Sequence, residues 1–297
     1  MSPALFAVSP QDPRYPTSLD AIHDPPSKLW IDGHVEALRA PAVAIVGSRA
    51  ASPYGLEVAR RLGADLARRG VAVISGMARG IDAAAHRGAL EGGGPTIAVL
   101  GCGVDVIYPR EHAALAAAIR EHGALVSEFA PGTPPYKGHF PQRNRIISGL
   151  ALAVVVVEAA DGSGSLITAE FAMDQGRAVL AVPGNVLGGR NAGAHALLRD
   201  GAKLVECADD ILEEIPNGNG QWGLGIRGRR ESEAGGLASQ DPVLRRMIDG
   251  DSYDLDELSD LSGLDRVKLL PRLLELELAG AVRRIEGGRF VRFRGPC

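Results

Sequence analysis

The sequence predicts an α/β fold, a doubly wound, mostly parallel sheet, followed by a small winged-helix domain. Three observations carry this. From residue 42 onward, short β-rich apolar runs alternate repeatedly with helical patterns, which calls for parallel strands with helices on both faces. One of those runs, at 152–157, is apolar without interruption, as a strand buried on both faces must be. After a polar, glycine-punctuated stretch at 216–240, three helical patterns and a hairpin follow.

Each element has a local cause. Residues 1–41 contain Pro10, Pro13, Pro16, Pro25, Pro26 and Pro41, so long helices are disfavoured there. Within them Leu29-Trp30-Ile31 reads as an edge strand, and the whole segment as a cap lying on the main domain. In the main domain, 42–215, strands are expected at 43–46, 71–74, 97–100, 124–126, 152–157, 179–182 and 203–206. A helix at 56–69 follows from Val58, Leu62 and Leu66 at a spacing of four, and stops at Gly70. Further helices fit 81–90, 113–121, 143–147 after Pro141, 166–175 and 210–214. The arginines of 216–240 make that stretch a solvated linker. In the last domain, 241–297, helices fit 243–248, 255–261 and 265–279, and strands at 281–285 and 289–293 turn on Gly287-Gly288. The third of these helices sets Lys268 and Arg272 against Glu275 and Glu277. That is a poor electrostatic match for a major groove, so a structural or protein-contact role is expected.

Composition narrows the class. The 297 residues are 45% hydrophobic with a net charge of −4 and a mean hydropathy of +0.03, enough for a sizeable core. A polyanion must then be held by a local patch. No apolar run approaches the roughly 18 residues that cross a bilayer, and the N-terminus has no basic n-region. Cys102, Cys207 and Cys297 form neither a CxxC pair nor a zinc spacing. A reduced cytoplasm fits this usage.

Ligands of parallel sheets sit beyond the carboxyl ends of the strands. There the sequence has Gly47-Ser48-Arg49 after the first strand of the main domain and Gly76 to Arg79-Gly80 after the second. After the strand at 152–157 come Glu158, Ser163-Gly164 and Thr168. Small residues before a helix let backbone amides approach a phosphate at the positive end of that helix. None of these loops is GxGxxG or GxxxxGK[ST], so no dinucleotide or ATP is indicated and no cofactor is expected. The stretch at 140–149 adds Phe140, Arg143, Asn144 and Arg145, with Lys137 just before it. If the loops converge, Arg49, Arg79, Arg143, Arg145 and Lys137 surround one concave site. That suits a string of phosphates, with Phe140 stacking a base. Taken alone, the stretch is equally well a core ring with solvated arginines.

Other reactive residues carry less. Asp82 and His86 lie one helical turn apart, but no third ligand is evident, which favours a hydrogen-bonding or packing role over a metal. Glu128, Glu158 and Glu170 have the chemistry of general acids or bases but no nucleophile beside them. Tyr108-Pro109 reads as a turn with a packing ring.

Taken together, several strings resemble the DNA-processing protein A (DprA, or Smf) family. They are AIVGSR at 44–49, SGMARGIDAAAH at 75–86, TIAVLGCGVDVIYP at 96–109, FPQRNRIISGL at 140–150, VVVEA at 155–159, SGSLITA at 163–169 and AVPGN at 181–185. Tyr15-Pro16 and Asp24-Pro25-Pro26 also match, and the family's winged-helix unit fits 241–293. The resemblance implies a Rossmann-like domain that binds single-stranded DNA, forms homodimers, protects incoming DNA and loads RecA during natural transformation, without catalysis. Duplex DNA would be a weaker ligand. By motif match, Gly47, Ser48, Arg49, Gly76, Arg79, Gly80, Phe140, Arg143, Asn144 and Arg145 would line the DNA pocket. Lys137, Ser163, Gly164 and Thr168 join them. The chain departs from the pattern at His195, which follows Gly193-Ala194 where the family usually has asparagine; Asn191 is a nearby amide. Many members carry a helical domain ahead of the Tyr15-Pro16 motif, close to which this sequence begins.

Two other readings stay open. A hydrolase of nucleotide derivatives, of the lysine-decarboxylase-like phosphoribohydrolase group, has a similar sheet and a Pro-Gly-Gly-x-Gly-Thr run before its glutamate. Here the segment at 161–170, ending in Glu170, lacks that proline and is longer. A winged-helix regulator of duplex DNA is the other.

Overall fold

The apolar runs become strands because alternate residues on them meet helices on opposite sides. A computed structural model describes residues 5–215, 241–244, 246–247, 252–278, 282–284 and 289–292. The chain divides into two compact units, Met1–Pro216 and Asn217–Cys297. The first holds strands β1 (Leu5–Val8), β2 (Leu29–Gly33), β3 (Ala42–Val46), β4 (Ala72–Ser75), β5 (Thr96–Val99), β6 (Ala124–Ser127), β7 (Ala153–Val156), β8 (Ala178–Ala181) and β9 (Lys203–Leu204). Their order in the sheet is β1-β2-β6-β5-β4-β3-β7-β8-β9. Strands β3 to β9 pair in parallel, as in a Rossmann-like sheet. The segment before Ala42 is not a cap laid over this sheet. Its two strands join the sheet itself, antiparallel, alongside β6.

The helices are α1 (Thr17–Asp20), α2 (Pro53–Arg68), α3 (Ile81–Glu91), α4 (Ala113–His122), α5 (His139–Leu150), α6 (Gly164–Asp174), α7 (Ala192–Arg199) and α8 (Ala208–Glu214). Strand β5 illustrates the layering. Ile97 and Val99 share one core with Ile146 of α5 and Ala169 of α6. Ala98 faces the other way, into a core with Ala83 of α3 and Ile119 of α4. Helix α7 was not expected; it follows a glycine-rich loop and has only eight residues. The strand order reverses between β3 and β7, which opens a crevice at their carboxyl ends.

Two devices hold the helices that start at this crevice. Helices α2 and α3 pack at backbone distance: a Cβ on Gly88 would lie 2.0 Å from the Arg60 carbonyl oxygen, and one on Gly63 2.5 Å from that of Ala85. Beneath them His86 is fully buried. Thr96 Oγ1 donates to the Val73 carbonyl at 2.8 Å, so His86 Nδ1–H donates to Thr96 Oγ1 at 2.7 Å. Burial, with help from the charges of Arg143 and His112, pushes the imidazole down from 6.5 to about 3. Asp82 accepts from the backbone of Gly76 and Ala78 instead. The pair one turn apart thus has two separate structural tasks, and no group of three or more metal-ligating side chains occurs among the described residues.

The second unit contains β10 (Ser252–Tyr253), β11 (Val282–Arg284) and β12 (Phe290–Arg292) in the order β10-β12-β11, with helices α9 (Leu255–Ser262) and α10 (Arg266–Leu278). Leu258, Leu269, Leu273, Val282 and Phe290 form its core. A capping box of Asp254 and Glu257 starts α9, and Gly263, with φ of 72°, ends it. Strand β10 was not expected. The expected linker at 216–240 and hairpin turn at 286–288 lie outside the described residues, as does part of the helix expected at 243–248.

Two outcomes follow from the packing. Gly88→Ala forces α2 and α3 apart and lowers stability by about 1–3 kcal/mol or more, read as a fall in Tm. For His86 the folded-state pKa lies below the unfolded one, so the unfolded chain binds the extra proton as pH falls below the ordinary value. Stability is therefore lost between about pH 6.5 and about pH 3. The loss is about 2 kcal/mol from pH ~7 to pH ~5. Urea titrations at the two pH values should show this component in the native protein and its disappearance in His86→Gln.

Candidate nucleic-acid interface

The carboxyl ends of β4 and β5 are drawn together by one side chain. Arg143 of α5 is buried. Its Nη1 donates to the Gly76 carbonyl at 2.9 Å and to the Val99 carbonyl, and its Nε to Asn144 Oδ1 at 3.1 Å. A Cβ on Gly76 would fall within 2.0 Å of this guanidinium, which is why glycine stands there. Burial lowers the Arg143 pKa to about 10, the neighbouring Arg49 charge adds to the effect, and Asp82 opposes it. Burial also raises Asp82, against the pull of Arg143 and of the two backbone N–H groups it accepts from. Asn144 continues the chain of contacts, donating through Nδ2 to the carbonyl of Gly164, the first residue of α6, at 3.3 Å.

The turn after β4 is strained. Met77 has a φ of 55°, uncommon for a residue with a long side chain. It is held by Asp82 through Gly76 N and Ala78 N at 3.1 and 3.2 Å and by His112 Nδ1–H, which donates to the Met77 carbonyl at 2.9 Å. Arg143 grips the Gly76 carbonyl. The turn in return projects Arg79 outward, where it is exposed and paired with Glu111.

Several site expectations change on this geometry. The loop amides are not a free phosphate nest. Ser48 N donates to the Glu158 carbonyl at 2.6 Å and Ile81 N to the Ser48 carbonyl at 3.2 Å. At the start of α2 the buried Glu158 carboxylate already takes the anion's place. It accepts from Ser52 N at 3.1 and 3.2 Å and from Ser52 Oγ at 2.5 Å. Gly47 and Gly80 serve close loop packing: a Cβ on Gly80 would lie 2.1 Å from the Ser48 carbonyl, and one on Gly47 2.7 Å from Ile81. Arg145 is not a displayed cation either. Glu128 grips it in bidentate fashion at 2.7 and 2.8 Å, and Asp24 accepts from its Nε at 2.9 Å, tying the N-terminal segment to α5. Thr168 is buried inside α6 and presents no surface.

What the strand ends do display is a cationic and aromatic surface. Arg49 is exposed, with its guanidinium 5.7 Å from the centre of the Phe140 ring. Phe140 is half-buried and lies 5.4 Å from Tyr108. Lys137 and Gly164 are exposed, and Ser48 and Ser163 are half-exposed. Tyr108, expected as a packing ring, is instead 45% exposed. Arg190 was not singled out; it donates to the Ala50 carbonyl at 3.0 Å. It borders an open cleft at the β3–β7 switch point lined by Ser52, Tyr54, Glu158, Pro183 and Asn185. His195 meets the Gly184 backbone through Nε2, and Asn191 Nδ2 donates to the Asn185 carbonyl at 3.2 Å. Both residues shape the loop on the far wall of that cleft.

In the second unit, the cations of α10 are neutralised locally. Arg266 pairs with Asp256, Lys268 with Asp265 at 3.9 Å, and Arg272 with both Asp241 and Glu275 at 2.5 Å. Val267, Leu270 and Leu274 are exposed on this helix.

Comparison with known proteins gives a consistent answer. Residues 6–216 match the family described as DNA recombination-mediator protein A, and residues 229–288 match the DprA winged helix domain. Protein Smf of Escherichia coli is 43% identical over 290 residues, covering 95% of this chain and 76% of the relative. DNA processing protein DprA of Streptococcus pneumoniae is 46% identical over 204 residues, covering 69% of this chain and 72% of the relative. The X-ray structure of the Streptococcus pneumoniae protein superposes with a TM-score of 0.69 at 44% identity, over 72% of this chain and 75% of that one. A structure of DNA processing protein A from Helicobacter pylori, concerned with its single-stranded DNA binding mode, superposes with a TM-score of 0.64 at 29% identity. It covers 73% of this chain and 100% of that one. With its parallel sheet, its strand-end surface and its winged helix, the chain belongs to the DNA recombination-mediator protein A family.

Proposed function

We propose that this chain binds single-stranded DNA, shields the incoming strand and loads RecA onto it in natural transformation and recombination, without catalysing a reaction on it. The observation that carries the reading is the exposed Arg49 guanidinium over the Phe140 ring at the strand carboxyl ends. It joins a phosphate ligand to a stacking face. Arg79, Lys137, Ser48, Ser163 and Gly164 flank it as backbone contacts, while Gly47, Gly76, Gly80, Arg143 and Asn144 act from beneath by fixing the loops. The Helicobacter pylori relative supports the choice of a single strand. Stacking and phosphate contacts carry no base code, so the binding has little sequence preference. The hydrolase alternative rests on Glu170, which is exposed on α6, while Glu128 and Glu158 are engaged internally.

The winged-helix unit serves protein contact, with duplex DNA a weaker ligand, since its α10 cations are already paired. The active species is a homodimer. Leu187, Leu197 and Leu198, apolar residues near the last strands, are candidates for its interface. Leu197 and Leu198 pack against the core, whereas Leu187 is exposed together with Val186 and with Leu204 on the edge strand β9.

In titrations with oligo-dT, Phe140→Ala weakens binding about tenfold. Arg49→Ala weakens it too, and lowers the slope of log affinity against log salt by about 0.7. Unchanged affinity in both variants, with the fold intact, removes the reading. Leu187→Glu should halve the mass measured by light scattering.

A further inference from the structure

Resting on that reading, a second set of rings beside Phe140 extends the site. The chain is poor in aromatic residues, 4% Phe, Trp and Tyr, yet four of them gather here with one histidine. Tyr136 is 57% exposed and is backed by His139, edge to face at 5.1 Å and 85°. His139 is in turn stacked on Phe129 at 3.8 Å and 13°. On the other side Tyr108 is backed by Phe140.

Both supports rest on one residue. The Phe140 ring lies so close to Gly101 that a Cβ there would be 2.9 Å from it, and His139 Nδ1–H donates to the Gly101 carbonyl at 3.2 Å. His139 and Phe140 are neighbours at the start of α5. The rings therefore form two groups, Tyr108 with Phe140 and Tyr136 with His139 and Phe129, both anchored at Gly101 just after β5, and the supports are pinned before any ligand arrives. A pinned ring loses little freedom on stacking. The electrostatics agree: Lys137 is exposed next to Tyr136, and the Glu128 carboxylate beside Phe129 is neutralised by Arg145 at 2.7 Å. A hydrophobic cover for the loop does not account for Tyr108 and Tyr136, which face outward while the rings behind them are the covered ones.

We propose that a single strand bound at Arg49 and Phe140 continues from the first ring group to the second, with Tyr136 stacking a further nucleobase and Lys137 meeting an adjoining phosphate. The test titrates the full chain with oligo-dT of decreasing length, for the native protein, Tyr136→Ala, Tyr136→Phe and Phe140→Ala. On long oligo-dT, Tyr136→Ala weakens binding about tenfold, Tyr136→Phe restores it, and the salt slope does not move, because the lost group is uncharged. The difference from the native protein vanishes on oligonucleotides too short to span both rings and on an abasic backbone of equal length. Equal affinity of Tyr136→Ala and the native protein on long oligo-dT, while Phe140→Ala is weakened, overturns this inference and leaves the proposed function standing. A loss that persists on the abasic backbone overturns it as well. If Phe140→Ala and Arg49→Ala bind like the native protein, the underlying reading falls instead. Photo-crosslinking of a bromodeoxyuridine-substituted strand to the native protein gives an answer that needs no variant: a crosslink at Tyr136 supports the track, and crosslinks confined to Phe140 oppose it.

Discussion

The interaction on which the site depends is the buried guanidinium of Arg143. It takes an arginine out of water and satisfies it with carbonyl oxygens at the ends of two adjacent strands, with the negative Asp82 nearby to offset the charge. Burying a charge is tolerable only when it is paired and hydrogen-bonded. Here the same contacts bring the tips of β4 and β5 under the start of α5. Asp82 completes the arrangement by holding the amides of the strained Met77 turn. The positive surface above is thus built on a positive charge below, and Arg49 is stationed where it feels both.

This explains which parts of the fold were legible in the sequence. Strands such as 153–156 are visible because nothing but a two-faced core accommodates an unbroken Ala-Val-Val-Val run. The glycine stops at Gly70 and Gly176 are visible for the same local reason: both have a positive φ. Helix α7 was invisible because its eight residues span barely two turns, too few for a helical period to repeat. Strand β2 looks like an isolated fragment until β6 gives it a partner 91 or more positions away along the chain, and β1 then pairs with β2.

The site was legible in outline only. Arginine donors suit a carbonyl, a carboxylate and a phosphate equally well, so the residue type did not reveal which partner each had. Arg143 found carbonyls, Arg145 found Glu128 and Asp24, Arg79 found Glu111 at the surface, and Arg49 and Lys137 point outward. Glycine was ambiguous in the same way. Close approach of backbone was foreseen, but what approaches Gly76 is a guanidinium and what approaches Gly80 is the neighbouring loop. Tyr108 ran the opposite course, since a ring beside proline in a turn gives no sign of facing outward.

The glycine contact between α2 and α3 has a reach beyond stability. Arg49 and Arg79 sit just ahead of the two helices that this contact welds into one body. The helix starts that carry these loops are therefore spaced by main-chain collision, which barely yields. Under the proposed function, both cations would be presented to the strand from bases of fixed separation.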